Sequence, residues 1–188
     1  MSSLLSTRVL RDLSKDRKII VDGGCGSGIQ ALYLAGLDHR REVYAYDKSP
    51  SQIEKADKYK EERKITNASF SVATHDSYKF PHGVDMIYTM SSLIGDGEIP
   101  FDARNPLSAV EDLVERRIRR FREALSESGL YVFSWAGSER TNNELIGIAE
   151  DCGFRYLSGV RPKNSVTIPF GEFSLEEAVE TVLVFMKR

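Results

Sequence analysis

Short runs of β-branched and aromatic residues alternate along this chain with stretches whose apolar residues recur every three or four positions. Ser3 to Leu13 places Leu4, Leu5, Val9 and Leu13 near one face, which predicts a short amphipathic helix. Ile19-Ile20-Val21 is a compact apolar run closed by Asp22 and glycines, the pattern of a strand buried on both faces. A helix is predicted from about Gly28 to Leu37 and a second strand over Val43 to Tyr46. Ser49-Pro50 then opens a helix, with a capping residue before a proline at the first helical position. Ser69 to Ala73 and Val84 to Tyr88 read as further strands, and Asn105-Pro106 marks a helix running to about Leu125. Leu130 to Trp135 follows as a fifth strand after a stop at Ser128-Gly129. Thr141 and Glu144 have the spacing of a capping box for a helix that ends at Gly153, and strands at Phe154 to Val160 and Thr181 to Met186 finish the chain.

Strands that alternate with helices predict an α/β fold, a mostly parallel sheet with helices on both faces. The end of the chain breaks that alternation. Pro162, Pro169 and Gly171 make Arg161 to Glu180 an irregular excursion, with room for one helical turn from Ser174 to Glu177. A length of 188 residues fits one domain spanning 1–188, enough to bury roughly two thirds of the unfolded surface.

Composition narrows the function classes. Hydrophobic residues at 41% and charged residues at 29% exclude a disordered chain, and a formal charge of -2 gives no global attraction to nucleic acid or anionic membrane. Cys25 and Cys152 form no C-x-x-C pair and no disulfide framework, which points to a reducing compartment and against structural zinc. The N-terminal residues lack a secretory apolar region and no segment is apolar over a bilayer's width, so the expectation is a cytoplasmic protein without membrane contact. Arg116-Arg117-Ile118-Arg119-Arg120-Phe121-Arg122 is the one strong basic cluster, but Glu111, Asp112, Glu115 and Glu123 lie in the same predicted helix. Pairs such as Glu115 to Arg119 make it a solvated, charge-paired face, and nucleic acid the less favoured partner. His39, beside Arg40 and Arg41, reads as solvated surface too.

The sharpest local signal is Val21-Asp22-Gly23-Gly24-Cys25-Gly26-Ser27-Gly28, a strand running into an acid and a glycine-rich turn before a helix. Such a turn brings backbone amides close to a bound carboxylate or phosphate. Asp47 closes the second strand at the spacing expected of a carboxylate that binds ribose hydroxyls. Gly26-Ser27-Gly28-Ile29-Gln30-Ala31 also satisfies the dinucleotide pattern G-x-G-x-x-A. Asp22 argues against that reading, because at the head of the turn it would repel a pyrophosphate yet help position the α-ammonium of a methionine moiety.

With these residues the chain resembles the Rossmann-like, class I family of S-adenosylmethionine-dependent methyltransferases over almost its whole length. Asp22-x-Gly24-x-Gly26-x-Gly28 is similar to that family's first motif and Asp47 to its ribose-binding acid. His75-Asp76-Ser77, then Phe80-Pro81 and Val84-Asp85-Met86-Ile87, resemble the third and fourth motifs. The resemblance implies a doubly wound sheet of seven strands whose last, Thr181 to Met186, is antiparallel and lies beside the fifth. It implies S-adenosyl-L-methionine as cofactor, with Asp76 at the adenine amino group and Ser77 beside it. The expected contacts are then Asp22, Gly23, Gly24, Cys25, Gly26, Gly28, Asp47, Lys48, Asp76, Ser77 and Met90.

Candidate general bases are His75, His82, Asp96 and Glu98, the last two in the stretch Ser91 to Asp102 after the fourth strand. The chain reads Thr89-Met90-Ser91-Ser92-Leu93 there, without the N-P-P-Y-type segment of methyltransferases acting on amide or adenine nitrogens. Ser91 to Asp102 and Val166 to Phe173 mix apolar residues with few positive charges, as a small-molecule pocket requires. Methylation of an O or N atom of a small molecule is therefore expected first. An RNA or protein methyltransferase, or a catalytically silent cofactor-binding domain, stands as the alternative.

Overall fold

The computed structural model describes residues 4–90, 92–93, 110–137, 139–160, 169–170, 173–174 and 179–188. In chain order the elements are α1 (Leu4–Leu13), β1 (Ile19–Gly23), α2 (Ile29–Leu37), β2 (Glu42–Asp47), α3 (Pro50–Glu62), β3 (Ala68–Val72) and β4 (Val84–Met90). Then come α4 (Glu111–Ala124), β5 (Leu125–Gly137), α5 (Glu139–Asp151), β6 (Phe154–Val160), β7 (Pro169–Phe170), β8 (Phe173–Ser174) and β9 (Val179–Lys187). Seven strands form one sheet in the order β3-β2-β1-β4-β5-β9-β6. β9 alone is antiparallel to its neighbours and pairs with both β5 and β6, in keeping with the expected return of the last strand.

Successive residues of the apolar runs serve two cores. Ile20, Ala45, Met86, Val132 and Val184 pack under Leu10 of α1 and Ala31, Leu32 and Ala35 of α2. Their neighbours Val21, Tyr46, Ile87, Phe133 and Phe185 pack with Val114, Ile118 and Phe121 of α4 and Leu145 and Ala149 of α5. A strand with apolar side chains on both faces needs a cover on each, which is why the runs read as continuous rather than alternating. The order reverses between β1 and β4, so the crevice where open α/β sheets take ligands lies at the carboxyl ends of those strands.

The β3 to β4 connection departs from helical alternation. Residues 73–83 form no helix and lie over the sheet as a loop. Tyr78 stacks on Tyr46 at 4.0 Å between ring centroids, and Phe80 meets Tyr46 and Phe121 edge-on. Aromatic rings thus do the covering that a crossover helix would otherwise provide.

Several local expectations change for identifiable reasons. Ser49 precedes α3 with Pro50 in its first turn, but its hydroxyl meets Ser51 and caps no helix amide. Thr141 lies inside α5 and is buried, and Glu144 pairs with Arg140 at 2.9 Å, so no capping box forms. Ser128-Gly129 does not separate helix from strand. β5 begins at Leu125, and the two residues fall in an irregularity where Val84 pairs with Leu125 but Met86 with Leu130. Ser174 ends a two-residue strand instead of opening a helical turn. Arg41 is not solvated: it is 4% exposed and donates to the carbonyls of Ser14, Arg17 and Leu34, tying the ends of α1 and α2 to the sheet. His39 is exposed, as expected. Asn105-Pro106 and 175–177 lie outside the described residues.

Candidate active site

β1 delivers Asp22 and Gly23 to the carboxyl edge, and the turn that follows is braced from β2. The amides of Gly24 and Cys25 both donate to the Tyr46 carbonyl, at 2.8 and 3.0 Å. Asp47, the last residue of β2, accepts from the Gly26 amide through Oδ2 and from the Ser49 amide through Oδ1, each at 2.9 Å. It is half-buried, and a carboxylate with two backbone donors still has lone pairs for a ligand's hydroxyls. Gly26 has φ 53 and no atom within 4 Å of where its Cβ would stand, so the turn opens onto free space there. Gly24 is closed from above, because a Cβ would collide with Ser92, whose hydroxyl donates to the Gly23 carbonyl at 2.6 Å.

Asp22 is 2% exposed and pairs in register with Tyr88 of β4. Asp22 and the Tyr88 hydroxyl are buried against each other, close enough for the hydroxyl to favour the carboxylate, yet neither Asp22 Oδ2 nor the Tyr88 hydroxyl makes a hydrogen bond of good geometry among the described residues. Burial raises the Asp22 carboxyl to about 7, with the charge of Asp47 adding to the shift and Tyr88 opposing it. The same burial, with Asp22 beside it, holds Tyr88 well above its ordinary value as a neutral hydroxyl. A cation brought beside a buried carboxyl in this condition would stabilise its charged form. The Cys25 thiol is also pushed up, by burial and then by Asp22 and Asp47, which removes it as a nucleophile at neutral pH.

Residues 20–100 match the family model described as a methyltransferase domain. The match runs from β1 through β4, the part of the chain that carries the glycine turn and Asp47.

The fold agrees with that match. The YcgJ protein from Bacillus subtilis superposes with a TM-score of 0.72 at 13% identity, over 99% of each chain. The N-methyltransferase NodS from Bradyrhizobium japonicum WM9, in complex with S-adenosyl-L-homocysteine, gives 0.71 at 14% identity over 97% of this chain and 86% of that one. The [4+2]-cyclase SpnF gives 0.64 at 20% identity over 83% of this chain, which spans 60% of the cyclase's length. At these identities the likeness concerns the fold, and the cyclase's presence shows that one fold carries more than one chemistry. No curated protein matches the sequence.

The remaining candidates fall in different places. Asp76 is engaged by Arg117 at 3.2 Å and Arg116 at 3.4 Å. Partial burial works against ionisation of Asp76, but the two guanidiniums outweigh it and hold the carboxyl below its ordinary value. The Ser77 hydroxyl accepts from the amide and the hydroxyl of Thr74, closing a local turn. Lys48 is exposed beside Asp47, and Met90 is half-buried at the end of β4, opposite Ser134.

Two of the proposed bases change standing. His75 is 3% exposed, and its Nε2 lies 3.0 Å from the Ser92 carbonyl. A carbonyl only accepts, so Nε2 carries the proton, and Nδ1 of the neutral ring accepts from the Tyr46 hydroxyl at 2.9 Å. Both nitrogens thus tie His75 into the packing between β2 and the segment after β4. His82 is exposed and precedes β4, at the sheet edge opposite the glycine turn. It lines a cavity of about 530 Å³ with Lys79, Phe80, Arg120 and Ser126. Asp96 and Glu98 lie outside the described residues, as does most of 91–102 and 166–173.

The arginine cluster divides between the fold and solvent, with Arg116 and Arg119 exposed. Arg119 does pair with Glu115 at 2.6 Å. Arg117, however, is 1% exposed, Arg120 donates to the Tyr78 carbonyl, and Arg122 to that of Gly153. Ser92, Tyr88 and Arg117 escaped the sequence reading. Arg117 had a legible signal, since it stands three residues after Val114 and four before Phe121, on the apolar stripe of α4.

Proposed function

We propose that the chain binds S-adenosyl-L-methionine across the carboxyl ends of β1 and β2 and transfers its methyl group to an O or N atom of a small molecule. The observation that carries this reading is the pair of carboxyl groups on either side of one glycine turn, Asp22 buried with Oδ2 unpartnered among the described residues and Asp47 tied to the Gly26 amide. In this reading Asp22 faces the methionine ammonium, while Gly23, Gly24, Cys25, Gly26 and Gly28 form the turn beneath the cofactor. Asp47 and Lys48 lie at the ribose, Asp76 and Ser77 at the adenine, and Met90 beside the methionine end.

The cofactor supplies a methyl already activated on a sulfonium, so the protein's task is alignment of the acceptor. Occupation of both His75 nitrogens by internal partners supports catalysis by orientation without that histidine as base. Burial of Arg117, capture of Arg120 and Arg122 by backbone carbonyls, and pairing of Arg116 and Arg119 with Asp76 and Glu115 reduce what the basic cluster offers a phosphate backbone, which favours a small acceptor over RNA.

Calorimetry is expected to show micromolar-range binding of S-adenosylmethionine or S-adenosylhomocysteine and no useful binding of NAD, because Asp22 opposes a pyrophosphate. Tight NAD binding without either sulfur ligand would end this reading. Methyl-labelled cofactor incubated with cell extract should then place label in the low-molecular-weight fraction. Label in RNA or protein instead would reassign the acceptor, and no transfer at all would leave a silent cofactor-binding domain.

A further inference from the structure

We propose that Arg117 is a positioning residue that holds the two ends of the cofactor site in a fixed relation, an inference that rests on the site proposed above. Arg117 projects from α4 and is 1% exposed. One arm of its guanidinium donates to the Leu93 carbonyl at 2.6 Å and another to Asp76 Oδ2 at 3.2 Å. These acceptors belong to different connections of the ligand edge: Asp76 follows β3 and Leu93 follows β4. Asp76 stands at the proposed adenine end. Leu93 directly follows Ser92, which closes on Gly23 and Gly24 at the proposed methionine end.

The connection made by Arg117 is in step with a second one. His75 reaches Ser92, and one residue further along each strand exit Arg117 joins Asp76 to Leu93. The Arg117–Leu93 bond is buried, so water cannot stand in for that donor, and α4 gives the guanidinium a rigid base. A guanidinium presents its donors in a fixed fork and can serve two acceptors at a set separation, whereas an ammonium acts as a single point donor. The geometry therefore calls for arginine, not merely for positive charge. Arg119, on the same helix, pairs with Glu115 within that helix and supplies the matching control.

The test measures S-adenosylhomocysteine affinity by calorimetry and melting temperature in parallel for wild type, R117K, R117Q and R119Q. R117K keeps the charge and R117Q keeps one donor, so at least one folded variant should be available. Folded R117K or R117Q is expected to bind at least tenfold more weakly, while R119Q changes less than threefold. In a double-mutant cycle, the loss from R117K combined with D76N should fall short of the sum of the single losses, because both changes break the same link. Wild-type affinity in a folded Arg117 variant, or strictly additive losses, would overturn the proposal and leave Arg117 a contributor to stability alone. Absence of binding by the wild-type protein would remove the cofactor reading itself and this inference with it.

Discussion

Asp22→Asn is expected to raise the melting temperature at pH 8 and, in the same protein, to weaken S-adenosylhomocysteine binding by tenfold or more. The two effects have one cause. In the folded chain the Asp22 carboxyl titrates near 7, above its ordinary 3.8, because burial disfavours its charged form. The folded state therefore holds a proton that the unfolded state has released between about pH 4 and 7, and the stability this group contributes falls as pH rises through that window. Above it the unliganded protein carries a buried anion with Oδ2 unpartnered, beside a neutral Tyr88. Asparagine has nearly the same shape and no charge, so it removes the cost. Each kcal/mol recovered is worth roughly 2–4 °C in a chain of this size.

A cationic ammonium reverses the balance, since it stabilises the anion that burial opposes. Charge-assisted hydrogen bonds contribute about 1.5–3 kcal/mol, or roughly tenfold to 150-fold in affinity, and asparagine forfeits most of that. Wild-type affinity should rise from pH 6 to pH 8 as Asp22 ionises, and the variant's should stay nearly flat. Melting curves and titrations at the two pH values measure both effects. A variant that melts lower and binds as before would mean that Asp22 serves the fold and meets no ligand cation.

Asp47→Ala is expected to weaken the same ligand by about tenfold to 150-fold, through loss of a charge-assisted bond to a ribose hydroxyl. Its effect on folding should be smaller. Alanine strands the amides of Gly26 and Ser49, each held at 2.9 Å in the native chain, but the site is half-open and water can reach them. A loss of about 1–2 kcal/mol in stability is expected from two such donors. Asp47→Asn keeps one acceptor and should fall between wild type and alanine in both measures. Full affinity in folded Asp47→Ala would place the ribose elsewhere and leave Asp47 as a brace for the turn.

Much of the architecture was legible because it is written in short-range patterns. A run such as Ile19-Ile20-Val21 has no polar face, and a strand without a polar face must be covered twice, as the two cores on either side of β1 show. The proline-containing excursion before the last strand broke the helical alternation in the sequence, and within the seven-stranded sheet β9 runs antiparallel to both its neighbours. The acid and glycines after β1, and the acid at the end of β2, announced themselves by their order and by their place at strand ends.

Tertiary structure decided the fate of the long polar side chains and the state of the buried ones. Nothing local to Arg117 or Arg41 says which carbonyls they will meet, since those acceptors lie 24 residues away at Leu93 and 27 away at Ser14. His75 looked like a base because imidazole chemistry is intrinsic to the residue; its two partners, 29 and 17 residues away, consume both nitrogens. Asp22 is the clearest case. That an acid would stand at the head of the turn could be read from the chain, but its titration near 7 comes from the low-dielectric surroundings that β4 and the packed sheet create around it, with the charge of Asp47 nearby. Periodicity and turn chemistry act between near neighbours, while desolvation and the partners of a guanidinium depend on what the completed fold brings alongside.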